Sequence, residues 1–121
     1  MLLKHSAVLL FMLLISCGKE LPKLEGFDTD EWKKDKNACQ GVRQSMEGML
    51  RKELVKLKGL AEMDVIKLLG RPDQNELYKR NQKFYYYSIT PGPGCVGADS
   101  VAIKLVLRFN AMGYAQLVSI E

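Results

Sequence analysis

Apolar residues recur at a helical spacing in the first half of the chain. Between residues 29 and 54 the stripe is Cys39, Val42, Met46, Met49 or Leu50, and Leu54, which predicts one long helix. A shorter helix follows over about 61–69, with Met63, Val65, Ile66 and Leu69 on its buried side. Gly70 and Pro72 end it, since glycine favours a helix C-terminus and proline prevents continuation.

Beyond Pro72 the pattern changes to the two-residue period of β-strands. Strands are predicted at 76–79, 83–90, 101–109 and 114–120, separated by turns at 80–82 and 110–113 and by the loop at 91–99. The third strand alternates: Val101, Ile103, Leu105, Leu107 and Phe109 lie on one face, and Lys104 and Arg108 on the other. The order predicts an α+β fold, with two N-terminal helices packed on one face of a three- to four-stranded antiparallel sheet.

The strand at 83–90 is rich in aromatic residues on both faces. The helices can cover one face only, and the more apolar set (Tyr85, Tyr87 and Ile89) is predicted to be buried. Phe84 and Tyr86 would then lie on the open face beside Lys104 and Arg108, a mixture common at protein interfaces. These four are the candidate partner-binding residues. The alternative is that the tether or the loop at 91–99 partly covers them.

A different pattern stands at the N-terminus, where an apolar run at 7–15 follows Lys4 and His5. A transmembrane helix needs about 20 apolar residues, whereas this length is typical of a secretory signal. Leu14, Ile15, Ser16 and Cys17 then look like a bacterial lipobox, in which the Cys17 thiol is acylated and becomes the first mature residue. We predict a signal peptide at 1–16 and a lipid anchor, including palmitate-type chains, on Cys17; the alternative is an ordinary secreted protein.

The rest of the chain is predicted to form a tether and one domain. Residues 17–27 include a polar stretch without a clear period, and the domain is expected at 28–121. Asp28 and Glu31 resemble a capping box, and Phe27 and Trp32 occupy the positions of a hydrophobic staple.

Two cysteines, Cys39 and Cys95, remain after the anchor. In an exported protein an even number of cysteines favours a disulfide, and two free buried thiols are the alternative. No metal site is predicted, because the single histidine, His5, lies in the signal peptide and two thiolates cannot complete a tetrahedral shell.

Other chemistry is poorly supported. Residues 92–97 spell G-x-G-x-x-G, but a strand, not a helix, is predicted to follow, so the glycines are expected to bend the loop and no nucleotide cofactor is implied. Without a mature histidine, a Ser-His-Asp or Cys-His site is excluded, and we expect no enzymatic activity. The net charge of +4 does not by itself indicate a nucleic-acid partner in an exported protein.

Three segments carry a resemblance to a known family: LKGLAEMDVIKLLGRPD (57–73), KFYYYSI (83–89) and KLVLRFNAMGYAQLVSIE (104–121). They resemble the SmpA/OmlA (BamE-like) small outer-membrane lipoproteins, and the matching motif implies fold-defining roles for Gly59, Val65, Leu69, Gly70 and Pro72. The resemblance implies a non-enzymatic module, anchored by lipid at the periplasmic side of the outer membrane, that assists assembly of outer-membrane proteins or envelope integrity. Its partner would be an envelope protein, such as a β-barrel insertion complex. The alternative is a lipid-anchored inhibitor or ligand-binding domain on a β-lactamase-inhibitor-like scaffold. The oligomeric state and the membrane leaflet stay open.

Overall fold

The computed structural model describes residues 20–98 and 101–121, and within them the predicted α+β class is confirmed. The helices span Thr29–Lys34 (α1), Val42–Ser45 (α2), Glu47–Leu57 (α3) and Glu62–Leu69 (α4). The strands span Gln74–Tyr78 (β1), Gln82–Ser88 (β2), Lys104–Phe109 (β3) and Ala115–Ile120 (β4). They form one antiparallel sheet in the order β1-β2-β3-β4. The predicted signal peptide and Cys17 lie outside the described residues.

The core lies between the helices and one face of this sheet. Its helical side includes Trp32, Leu50, Leu57, Val65 and Leu69, and its sheet side includes Tyr85, Tyr87, Leu105, Leu107 and Phe109. The sheet residues alternate along β2 and β3, so each strand presents one apolar face to the helices.

The single helix predicted over 29–54 is wrong, because the chain turns twice between α1 and α2. The Asp35 carboxylate accepts hydrogen bonds from the backbone N–H groups of Gln40 (2.8 Å) and Arg43 (3.0 Å), which a continuous helix would direct to backbone carbonyls. A short 3₁₀ turn, Lys36–Ala38, follows α1, and Gly41 adopts a left-handed φ of 79° before α2. Met49, a possible member of the predicted stripe, is 45% exposed, whereas Leu50 is fully buried.

The predicted tether joins the domain earlier than expected. Leu24 and Phe27 belong to the core, with exposed fractions of 4% and 8%, and the Lys56 ammonium donates to the backbone carbonyl of Lys23 at 2.9 Å. The packed domain therefore begins before residue 28. The predicted staple of α1 is present, since the rings of Phe27 and Trp32 are 5.3 Å apart. Of the predicted capping box, the Asp28 half is present: its carboxylate accepts from the Glu31 backbone N–H, whereas the Glu31 carboxylate pairs with Lys34.

The remaining element boundaries shift by a few residues. The helix predicted at 61–69 is α4, which buries Val65, Leu68 and Leu69, but Met63 is 62% exposed and does not belong to the buried side. The third strand begins at Lys104, and Val101 lies outside it and is 79% exposed.

Candidate interaction face

The face of the sheet opposite the helices carries the four candidate residues together. Tyr85, Tyr87 and Ile89 are buried on the helix side, as predicted, so Phe84 and Tyr86 point to the other side. In the strand register, Phe84 lies opposite Arg108, and Ser88 lies opposite Lys104. We call this surface the open face; by register it includes Glu76, Tyr78, Phe84, Tyr86, Lys104, Arg108, Leu117 and Ser119, with Val106 beneath them.

Three aromatic rings on the open face form a row. The rings of Tyr78 and Phe84 meet edge to face at 5.3 Å, and those of Phe84 and Tyr86 stack at 5.9 Å with an interplanar angle of 7°. Such pairs orient one another, which makes the row a preformed apolar surface. Val106 is on the same face and only 4% exposed, so the neighbouring side chains cover it.

The cations beside this row have different surroundings. The Lys104 ammonium lies 4.6 Å from the centre of the Tyr86 ring, a cation–π contact. The Tyr86 hydroxyl donates to Glu76 at 3.1 Å, and burial together with this carboxylate raises the pKa of Tyr86. Arg108 forms no ion pair within residues 20–98 and 101–121, and its Nε is buried without a hydrogen-bond partner there.

The disulfide predicted between Cys39 and Cys95 is present, with a Cα–Cα distance of 5.3 Å. It joins the turn after α1 to the loop that follows β2. The Gly92 backbone N–H also donates to the Asn37 carbonyl at 2.8 Å, and a Cβ at Gly92 would lie 2.5 Å from the Ser88 Oγ. The loop thus brings Cys95 to Cys39, as predicted, but Cys39 lies in the turn after α1 and not in a long helix.

The motif residues taken from the family resemblance hold α4 against the sheet. The Gly59 backbone N–H donates to the Ala115 carbonyl at 2.7 Å, which ties the start of β4 to the segment before α4. Val65 and Leu69 are fully buried. Gly70 ends α4 with a φ of 79°, and its carbonyl accepts from the Tyr87 hydroxyl at 2.8 Å. Pro72, which is partly buried, follows two residues later.

A buried ion pair beside the end of β2 was not predicted from the sequence. The Arg43 Nη1 donates to the Asp73 carboxylate at 2.6 Å, and the two side chains are 1% and 4% exposed. Asp73 also accepts from the backbone N–H groups of Asn37 and Ser88. The guanidinium of Arg43 lies 4.6 Å from the Trp32 ring centre and donates from Nε to the Trp32 carbonyl. Thirty residues separate the charges, so only the tertiary fold reveals the pair, which fixes the start of β1 against the end of β2.

A second polar cluster lies on the helix side of β2. The Glu62 carboxylate accepts from the Tyr85 hydroxyl at 2.8 Å and pairs with the Lys83 ammonium at 2.9 Å. Burial, with the hydrogen bond and charge of Glu62, raises the pKa of Tyr85 to about 12. Tyr85 therefore stays protonated at neutral pH and acts as a hydrogen-bond donor that fastens α4 to the sheet.

Searches of protein-family models, curated proteins and solved structures find no match to this chain. The similarity to SmpA/OmlA proteins thus rests on the quoted segments alone. No helix within residues 20–98 and 101–121 has the length and apolar character that crossing a membrane requires. Within the same ranges, no three histidine, cysteine or acidic side chains group closely enough to hold a metal ion.

Proposed function

We propose that this protein is a lipid-anchored, non-enzymatic interaction module of the bacterial envelope, which assists outer-membrane protein assembly or envelope integrity. The main supporting observation is the open face, where a row of aromatic rings lies beside Lys104 and Arg108, two cations that form no ion pair among the described residues. The one carboxylate shown in contact with the row, that of Glu76, accepts from the Tyr86 hydroxyl. Aromatic and arginine side chains contribute most of the binding energy at many protein interfaces.

The location in this proposal comes from the N-terminal segment. The apolar run and the lipobox around Cys17 support export and acylation. Because Leu24 is packed in the core, only the six residues 18–23 would separate Cys17 from the domain, a reach over seven Cα–Cα steps of at most about 25 Å. The module would thus work close to the membrane surface.

The experiment is recovery of the anchored protein from gently solubilised envelopes, followed by identification of what it retains. Co-purification of a β-barrel insertion complex is the expected result. Recovery of one tightly bound enzyme instead would favour the inhibitor alternative.

The surface is tested by comparing two double variants. Changing Phe84 and Tyr86 together to serine should reduce recovery of the partner about tenfold or more, with the melting temperature lowered by only a few degrees. The matched control changes Val55 and Met112 to serine; these side chains are 76% and 81% exposed and lie outside the open face. Equal losses in both double variants, or a large destabilisation without a separate binding defect, would contradict the assignment.

A further inference from the structure

Arg108 differs from Arg43 and Arg51, the two arginines that form ion pairs within residues 20–98 and 101–121. The buried Arg43 has a carboxylate, two backbone carbonyls and an aromatic ring around it, and Arg51 pairs with Glu47 at 3.1 Å. Arg108 is partly buried, yet within residues 20–98 and 101–121 it has no carboxylate, and its buried Nε has no acceptor. The Nε lacks an acceptor inside the protein, and no side-chain hydrogen bond of Arg108 is present within the described residues, so the donor capacity of this guanidinium is unmet there.

The flanks of Arg108 are apolar. The strand register places Phe84 on one side and Leu117 on the other, in a row that runs across β2, β3 and β4. Leu117 is 45% exposed and Phe84 is partly exposed. A carboxylate that reached Arg108 from solvent would therefore be shielded from water on both sides, which strengthens a guanidinium–carboxylate pair.

The distance between the two cations of the open face, Lys104 and Arg108, defines the spacing of the acidic groups that a partner would need. Lys104 and Arg108 lie on the same strand and the same face, four residues apart, which corresponds to about 13 Å. Val106 lies between them, and the rings of Phe84 and Tyr86 lie alongside. An extended partner chain with acidic residues four positions apart and an apolar residue midway would match both cations and the apolar surface between them.

We propose that Arg108 is the carboxylate-binding residue at the centre of the open face, and that the occupant is an extended segment of a partner protein with the pattern acidic-x-apolar-x-acidic. The inference deepens the proposed function and rests on it, since it names the chemistry of the partner. The planar guanidinium binds the first carboxylate through paired N–H donors, and Lys104 attracts the second as a point charge.

The test uses a defined probe and the Arg108 Nε–H signal in ¹⁵N-resolved NMR of the folded domain at low salt. The probe is an acetylated and amidated pentapeptide, Glu-Ser-Leu-Ser-Glu; its control replaces both glutamates with glutamine. We expect a saturable shift of the Nε–H signal with the acidic peptide only. Absence of saturation, or equal shifts with both peptides, would overturn the proposal, as would tighter binding of inorganic phosphate.

Variants of Arg108 test whether this residue binds the peptide, and the backbone NMR signals of Phe84 and Leu117 report the binding. Arg108→Gln should weaken peptide binding about tenfold or more, and Arg108→Lys should weaken it less. The matched control is Arg71→Gln, since Arg71 is exposed and lines a cleft with Met63 and Ile66 outside the open face; its effect should stay within about twofold. Unchanged binding in Arg108→Gln would overturn the proposal.

The peptide test is independent of the envelope experiment. If the double variant of Phe84 and Tyr86 keeps its partner in the envelope, the proposed function fails even when the peptide binds Arg108. If the double variant loses the partner but Arg108→Gln keeps both the partner and the peptide, the open face is still the partner-binding surface, and the inference that Arg108 binds a carboxylate is wrong.

Discussion

Removing the charge of Asp73 should be among the most destabilising single changes in the domain. In Asp73→Asn, the oxygen can still accept from the Asn37 backbone N–H. The new NH₂ group then stands where the second carboxylate oxygen accepts from Arg43 (2.6 Å) and from the Ser88 backbone N–H (2.8 Å). A donor would face two donors, and the buried guanidinium would lose its counter-charge.

The expected cost follows from burial. The side chains of Arg43 and Asp73 are 1% and 4% exposed, and breaking such a pair by changing one partner costs about 3–5 kcal/mol. A domain of this size has a free energy of unfolding of about 5–15 kcal/mol. The melting temperature should fall by more than about 12 °C, since each kcal/mol lowers it by about 4–8 °C.

Urea unfolding measures this cost, followed by circular dichroism and by the fluorescence of Trp32, the single tryptophan, whose ring contacts Arg43. The matched control is Glu31→Gln, which removes one carboxylate from the exposed pair with Lys34 and should cost less than about 1 kcal/mol.

A double-mutant cycle separates the ion pair from general disruption. Arg43→Met alone leaves Asp73 with its two backbone donors, so the double variant should cost less than the sum of the single variants. If Asp73→Asn costs no more than Glu31→Gln, the pair is not buried in solution and the reasoning is refuted.

Four further predictions concern other parts of the chain. Replacing Cys39 and Cys95 with serine should lower the free energy of unfolding by about 4 kcal/mol, because the disulfide closes a loop with a sequence separation of 56. Mass mapping of the unreduced protein should first find the two cysteines joined, and alkylation of both thiols in that material would contradict the disulfide. Tyr85 should titrate near pH 12, measured as the difference in absorbance at 295 nm between the wild type and Tyr85→Phe, because the five tyrosines absorb together. The stability linked to it is complete below about pH 10 and is lost as pH rises through 12, and a difference that titrates near pH 10 would contradict its burial against Glu62. Gly48→Ala should raise the free energy of unfolding, measured by denaturant, by up to about 1 kcal/mol, because alanine favours a helix over glycine and an added Cβ meets no atom within 4 Å. A lower free energy of unfolding would mean that the added methyl group clashes with a neighbour. Cys17→Ala should leave the protein uncleaved or released from membranes on fractionation, whereas membrane recovery with normal signal removal would exclude the lipobox.

The sequence by itself determined the class of fold and the two faces of the sheet. Alternation in β2 was enough to bury Tyr85 and Tyr87 and to place Phe84 and Tyr86 opposite them, because side chains in a strand change face at every residue. The N-cap of α1 at Asp28 and the end of α4 at Gly70 were also predictable from the sequence, since both depend on residues less than one turn away.

Only the tertiary structure decided the features that depend on distant residues. The break after α1 arises where Asp35 accepts N–H groups that a helix would use, and its burial follows from packing that no local pattern records. Arg43 is buried because Asp73, 30 residues away, neutralises it. Arg108 has an equally polar side chain but meets Phe84 and Leu117 across the sheet, and no acid among the described residues pairs with it. Charge is a property of each residue, whereas the environment that pairs a charge or leaves it open is made by strands and turns far apart in the chain.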